Sequence, residues 1–94
     1  MRTIERASAF KRDYKRVKAT PRHNKDVDAL LSVVLEKLVT DQVLPHRNRD
    51  HELSGHWNGY RECHLKPDLL LIYRKLDEDT LRLARLGSHS ELFE

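Results

Sequence analysis

Four of the six histidines fall between Asp50 and Phe93, at positions 51, 56, 64 and 89, interleaved with acidic, basic and aromatic residues. Imidazoles titrate near neutral pH, so two of them flanking a scissile bond can take a proton from a nucleophile and return one to a leaving group. RNA asks for little more than that. Its ribose 2'-hydroxyl is itself the nucleophile, and the protein supplies a base, an acid and a cation for the charged transition state. His51, His64, Asp68 and His89 are candidates for the proton transfers, Arg61 and Arg85 for the cation, and Tyr60, Phe93 and Trp57 for stacking on bases. The bland alternative for any single histidine is a solvated or hydrogen-bonded side chain.

Other chemistries fit less well. Zinc sites favour close pairs such as His-x3-His or Cys-x2-Cys, and only His46-x4-His51 and His51-x4-His56 come near that form, in a stretch without helical period. Three glycines do not make a phosphate loop, no serine sits in an elbow motif, and the single Cys63 falls on the covered side of its strand. The expectation is a site without metal or cofactor.

The elements that must position these residues follow from periodicity. Arg2 to Arg6 is a candidate first strand. Ser8 offers an N-cap, and Phe10, Tyr14 and Val17 repeat at helical spacing on a helix that ends at Thr20-Pro21. Asn24 caps a second helix, with Asp26 and Asp28 near its positive end and a core face of Val27, Leu30, Leu31, Val34 and Leu38. Asp41 to Gly55 has no period and is predicted to be a long loop. From Trp57 to Leu65 the period becomes two, with Trp57, Cys63 and Leu65 on the covered side and Tyr60, Glu62 and His64 on the other. Leu69 to Leu76 is a nearly continuous apolar run suited to a central strand. After the turn Asp77 to Thr80, Leu81 to Leu86 forms the next strand, and the tail from Ser88 forms a short helix or a strand extension. These elements predict an α+β fold in one domain over residues 1–94: two N-terminal helices packed on an antiparallel sheet of three or four strands, as a two-layer sandwich.

Charge is distributed unevenly. Residues 1–25 hold nine Lys/Arg against Glu5 and Asp13, a balance of +7, which leaves nine basic against thirteen acidic residues, or -4, for the rest. Lys11, Arg12, Lys15, Arg16 and Lys18 line the first helix and suit a polyanion, nucleic acid or an acidic protein segment, unless they are simply a solvated face. With 38% hydrophobic and 35% charged residues and no apolar run of spanning length, the expectation is a soluble, cytoplasmic protein that does not enter membranes.

The string Asp50-His51-x-Leu53-x-Gly55-x-Trp57-x-Gly59-Tyr60-Arg61-Glu62-x-His64-x-x-Pro67-Asp68, with Leu71-Ile72-Tyr73 and Arg85-x-Gly87-Ser88-His89-x-x-Leu92-Phe93, resembles the YafQ-type branch of the RelE/ParE toxin superfamily. The resemblance implies an mRNA interferase, the toxin half of a type II toxin-antitoxin pair. Such an enzyme enters the ribosomal decoding site and cuts messenger RNA without metal, leaving a cyclic phosphate and a 5'-hydroxyl. His51, His64, Asp68 and His89 match the family's acid-base set, Arg85 its phosphate-stabilising arginine and Phe93 its terminal aromatic. Glu62 stands where some relatives have aspartate, an exchange expected to matter little, and Leu69 where a close relative has tryptophan, which removes a stacking group. The partners implied are messenger RNA, ribosomal RNA and a cognate antitoxin, with operator DNA bound only as a complex with that antitoxin. Two other readings remain: a ParE-like toxin that inhibits DNA gyrase by binding alone, and a small nucleic-acid-binding module.

Overall fold

Helical period becomes helix where it is expected. A computed structural model, which describes residues 1–93, has α1 at Ser8–Lys18 and α2 at Val27–Val39. The caps differ from expectation. Ser8 is already helical, Ala7 takes the cap position, and Asp26 rather than Asn24 precedes α2, in neither case with a side-chain cap bond. The connection folds back on itself through His23 N–H to Thr20 O (3.0 Å) and Val27 N–H to His23 O (3.0 Å), with the His23 side chain buried, so the cap moves from Asn24 to Asp26 and α2 begins at Val27.

The sheet is larger than expected and mixed. Its strands are β1 (Thr3–Arg6), β2 (His51–Glu52), β3 (Arg61–Lys66), β4 (Leu69–Lys75) and β5 (Thr80–Gly87), in the order β1-β5-β4-β3-β2. The expected antiparallel sheet of three or four strands is corrected at both edges. The first strand joins the last in parallel, Thr3 opposite Thr80 to Arg6 opposite Leu83, because β5 would otherwise leave its outer row of backbone groups unpaired. At the other edge, His51–Glu52 inside the expected loop pairs antiparallel with β3. The strand expected from Trp57 starts only at Arg61. Gly55 (φ +65°) and Gly59 (φ +91°) take left-handed backbone around a 3₁₀ turn at Gly55–Trp57, so the chain turns there instead of extending. The tail resolves as a helix, α3, at His89–Phe93.

One face of the sheet carries the main core. Phe10 and Val17 from α1 and Val27, Leu31, Val34 and Leu38 from α2 pack with Cys63, Leu65, Leu71, Tyr73, Leu81, Leu83 and Leu86, all buried. Burying each of the larger side chains contributes about 1.5–3 kcal/mol. The other face has a smaller cluster of Leu70, Ile72, Ala84 and Leu92, edged by the half-buried Leu53, Trp57, Tyr60 and Phe93. That second cluster is the floor of the candidate site.

Candidate active site

Strand register assembles the site. Cross-strand partners share a face, so the pairings His51 with Glu62, Glu62 with Ile72 and Ile72 with Arg85 make one row across β2, β3, β4 and β5. His64, Leu70 and Gly87 make the next row, towards the β3–β4 turn. Both rows lie on the face of the smaller cluster.

Glu62 is the centre of the polar part. Its side chain is 6% exposed, and Oε2 lies 3.1 Å from His51 Nε2 and 3.7 Å from His64 Nε2. His51 Nδ1 is 2.7 Å from the Arg49 carbonyl, so both of its ring nitrogens face acceptors. His64 is held more loosely, since among the described residues its buried Nδ1 has no hydrogen-bond partner and Glu62 stands 3.7 Å from the other nitrogen. Both histidines thus face one buried carboxylate, His51 within hydrogen-bond distance and His64 just beyond it.

The residue before β2 fixes where His51 sits. Asp50 accepts from the Tyr73 hydroxyl (2.5 Å) and from Arg61 Nε (3.3 Å) and Nη2 (3.2 Å). Burial and then the Asp50 hydrogen bond push the Tyr73 hydroxyl up, so it stays a donor. Arg61 is therefore committed to Asp50, and strand alternation turns it to the face opposite Glu62 and His64. It does not join the histidines as the expected phosphate cation.

Arg85 does lie on the histidine face, but it is tethered. Its Nε donates to Asp13 Oδ2 at 2.6 Å and its Nη2 to Oδ1 at 3.2 Å, while Arg16 Nη1 (2.8 Å) and the Leu86 N–H (3.0 Å) complete the Asp13 shell. The pairing of β1 stops opposite Leu83, and at Leu86 the carboxylate of Asp13 takes the place of a strand carbonyl. Burial alone raises the Asp13 carboxyl, but the bonds from Arg85, the Leu86 amide and Arg16 outweigh it and hold the group below its ordinary range. The Asp13 hydrogen bond in turn raises Arg85.

Helix α3 brings the last two candidates. Ser88 and Glu91 form a reciprocal cap: Ser88 N–H donates to Glu91 Oε1 (2.8 Å) and Glu91 N–H to Ser88 Oγ (3.2 Å). Glu91 Oε2 also pairs with Arg16 Nε at 3.1 Å, which ties the helix to α1. Leu92 then packs into the floor, and the His89 and Phe93 rings lie 4.8 Å apart, one helical turn from each other. Gly87 permits this fold-back, since a Cβ there would lie 2.7 Å from Arg16 Nη2 and 2.9 Å from Glu91 Oε1.

Asp68 is placed differently from the histidines. It stands exposed in the β3–β4 turn and pairs with Arg22 Nη1 at 3.1 Å. Tyr60 is half-buried against Trp57 (5.3 Å, edge-on), and Arg74 covers its ring at 5.6 Å, so its partners lie within the chain. On α1, Lys11, Arg12 and Lys15 are exposed without an ion pair among the described residues, whereas Arg16 is drawn into the Asp13 and Glu91 network and Lys18 pairs with Asp28 at 2.7 Å. Among the described residues no group of three or more His, Cys, Asp or Glu is arranged to hold a metal ion. No described helix is long and apolar enough to cross a membrane.

A sequence model of the bacterial toxin of type II toxin-antitoxin system, YafQ, matches residues 2–94. The chain belongs to the YafQ toxin family. An mRNA interferase toxin YafQ of Escherichia coli K12 is 37% identical over 92 residues, 98% of this chain and 96% of that one. A metal-bound toxin from Helicobacter pylori is 48% identical, with a TM-score of 0.86 over 99% of this chain and 100% of its own. The E. coli DinJ-YafQ complex contains a chain 38% identical, with a TM-score of 0.82 over 100% of both.

Two residues of this YafQ-family site were not singled out by sequence reasoning. Glu62, expected to matter little as an exchange for aspartate, lies two residues before His64 on an alternating strand, which puts both on one face. Asp13, the one acid of the basic first helix, carried no comparable signal, because its partners Arg85 and Leu86 are more than seventy residues away.

Proposed function

We propose that this chain is an mRNA interferase, a ribosome-dependent endoribonuclease that cuts messenger RNA and is held inactive by a cognate antitoxin. The observation that carries the reading is the shared face. His51 and His64 meet at Glu62 on one side, Arg85 stands in the same row two strands away, and His89 enters from α3 beyond Gly87. Strands lie about 4.8 Å apart, so His64 and the start of α3 are separated by roughly 10 Å across Leu70, room for a phosphodiester between them. The names of the E. coli relatives, an mRNA interferase toxin and a toxin in complex with DinJ, support the same reading.

In this mechanism one side of the phosphate removes the proton of the ribose 2'-hydroxyl, whose oxygen attacks phosphorus. The other side protonates the 5'-oxygen as its bond to phosphorus breaks. The products are a 2',3'-cyclic phosphate and a 5'-hydroxyl, and no metal takes part. Arg85 stabilises the extra negative charge of the transition state, and the tether to Asp13 holds its guanidinium in advance of substrate. Phe93 presents a ring to the base beside the scissile phosphate, and Asp68 serves the rim next to the β3–β4 turn. Lys11, Arg12 and Lys15 meet ribosomal RNA in the cytoplasm, and operator DNA is met only through the antitoxin.

Cleavage-site mapping by primer extension tests this reading, with purified ribosomes present or absent and with His64→Ala and His89→Ala beside the native chain. Cuts that require ribosomes and disappear in either variant are expected. Growth arrest without any cut refutes the nuclease and leaves binding to gyrase or to the ribosome as the account.

A further inference from the structure

Beyond the histidine rows, the same sheet face carries a feature the reaction does not use. Arg74 of β4 and Arg82 of β5 are direct cross-strand partners, two like charges on one rung. Such a pair is destabilising, and a sheet needs no such rung for folding. Both converge on one side chain: the Arg74 guanidinium lies 5.6 Å over the Tyr60 ring, and Arg82 Nη1 donates to the Tyr60 hydroxyl at 3.3 Å. Tyr60 is itself held by Trp57 at the end of the apolar floor. Compensation is incomplete. Glu5 pairs with Arg82 Nε at 2.6 Å, whereas Arg74 is exposed and has no carboxylate partner among the described residues.

The position of this rung gives it a ligand. It lies two residues along β4 from the rung of Ile72 and Arg85, a displacement of about 7 Å at roughly 3.3 Å per residue. A nucleic-acid strand whose scissile phosphate sits at Arg85 and which follows the strand direction brings a neighbouring phosphate to Arg74 and Arg82. We propose that Arg74 and Arg82, braced by Tyr60, form a second phosphate subsite that binds a phosphodiester adjacent to the one cleaved. The assignment rests on the nuclease reading above. Its role is to set the register of the RNA along the face, since phosphate contacts position a strand without reading its bases. Arg74 carries most of the effect, because Arg82 is already shared with Glu5.

The test uses ribosomes programmed with short messenger RNAs in which the phosphate on the 5' or the 3' side of the cleaved one is replaced by an uncharged methylphosphonate. Single-turnover cleavage is measured for the native chain, Arg74→Gln and Arg74→Lys. Arg74→Gln is expected to lower kcat/KM roughly tenfold on unmodified RNA, mainly through KM, and Arg74→Lys to restore part of it. A methylphosphonate at one of the two flanking positions should cost the native chain a similar factor and Arg74→Gln nothing further. Equal losses in native and Arg74→Gln chains at both positions, or an Arg74→Gln chain that cleaves as well as native, overturn the subsite while leaving the nuclease intact. A native chain that does not cleave at all sinks the nuclease reading and the subsite with it.

Discussion

Replacing Asp13 tests the account of how Arg85 is held. The side chain is 4% exposed and accepts four hydrogen bonds, from Arg85 Nε and Nη2, Arg16 Nη1 and the Leu86 N–H. In Asp13→Ala the Leu86 amide, in a fully buried residue, loses its acceptor, which costs about 1–3 kcal/mol. Arg85, with a side chain 27% exposed, loses a partly screened ion pair and adds about 1 kcal/mol, while Arg16 reaches water and adds little. The sum, about 2–4 kcal/mol, is a large share of the stability of a domain this size, and it lowers Tm by at least about 10 °C. Asp13→Asn keeps an acceptor for the amide and costs less. Because the folded carboxyl is held below its ordinary range, its contribution is present at neutral pH and lost as pH falls through the lowered pKa. Urea unfolding of the three chains at pH 7 and between pH 5 and 2 reads both effects. The native chain should lose stability towards acid more steeply than Asp13→Asn. A native and an Asp13→Ala chain with the same urea midpoint, or identical acid slopes in native and Asp13→Asn, would refute the argument.

Further predictions concern the other supports. Glu62→Gln keeps the shape but removes the charge between His51 and His64; we expect cleavage to fall roughly 10- to 100-fold, and an unchanged rate would assign Glu62 to packing alone. Ser88→Ala breaks the reciprocal cap of α3 and should cost about 1 kcal/mol, with faster amide exchange confined to residues 89–93; uniform exchange across the sheet would contradict that local role. Cys63 is fully buried, and burial, followed by the charges of Asp50 and Glu62, pushes its thiol far up, so a thiol reagent should modify it only at the rate of unfolding, and rapid labelling of native protein would show that β3 opens more readily than its packing implies.

Much of this architecture is legible in the sequence where one element decides its own form. The stripe of Phe10, Tyr14 and Val17 and the repeat from Val27 to Leu38 become α1 and α2 because helical period is a local property. The apolar run from Leu69 becomes the central β4, and Cys63 lies in the core as its strand parity requires. What fails depends on distant partners. Thr3–Arg6, with one apolar residue, Ile4, is the strand its sequence suggests, but its parallel pairing is set by the free edge of β5, more than seventy residues away. His51–Glu52 looks like loop because its pairing is supplied by β3 and its anchor by the Asp50 bonds to Arg61 and Tyr73. Arg61 and Arg85 look equivalent as sequence symbols, yet strand parity sends one to each face. Glu62 meets His51 of that same short strand, and a stretch without period gives no sign of such a neighbour.

The parallel pairing of β1 with β5 sets a timetable for synthesis. Residues 3–6 leave the ribosome early and find their partners, residues 80–83, only after almost the whole domain has been made. Until then the edge of the sheet is absent, α1 has no β5 to pack on and Asp13 has neither Arg85 nor the Leu86 amide to hold. Contacts of such long sequence separation form late and slowly. A growing chain of this kind has its β2–β3 pair before β5, so the histidines at Glu62 precede the arginine row that faces them, and Arg85 joins them only when β5 is made.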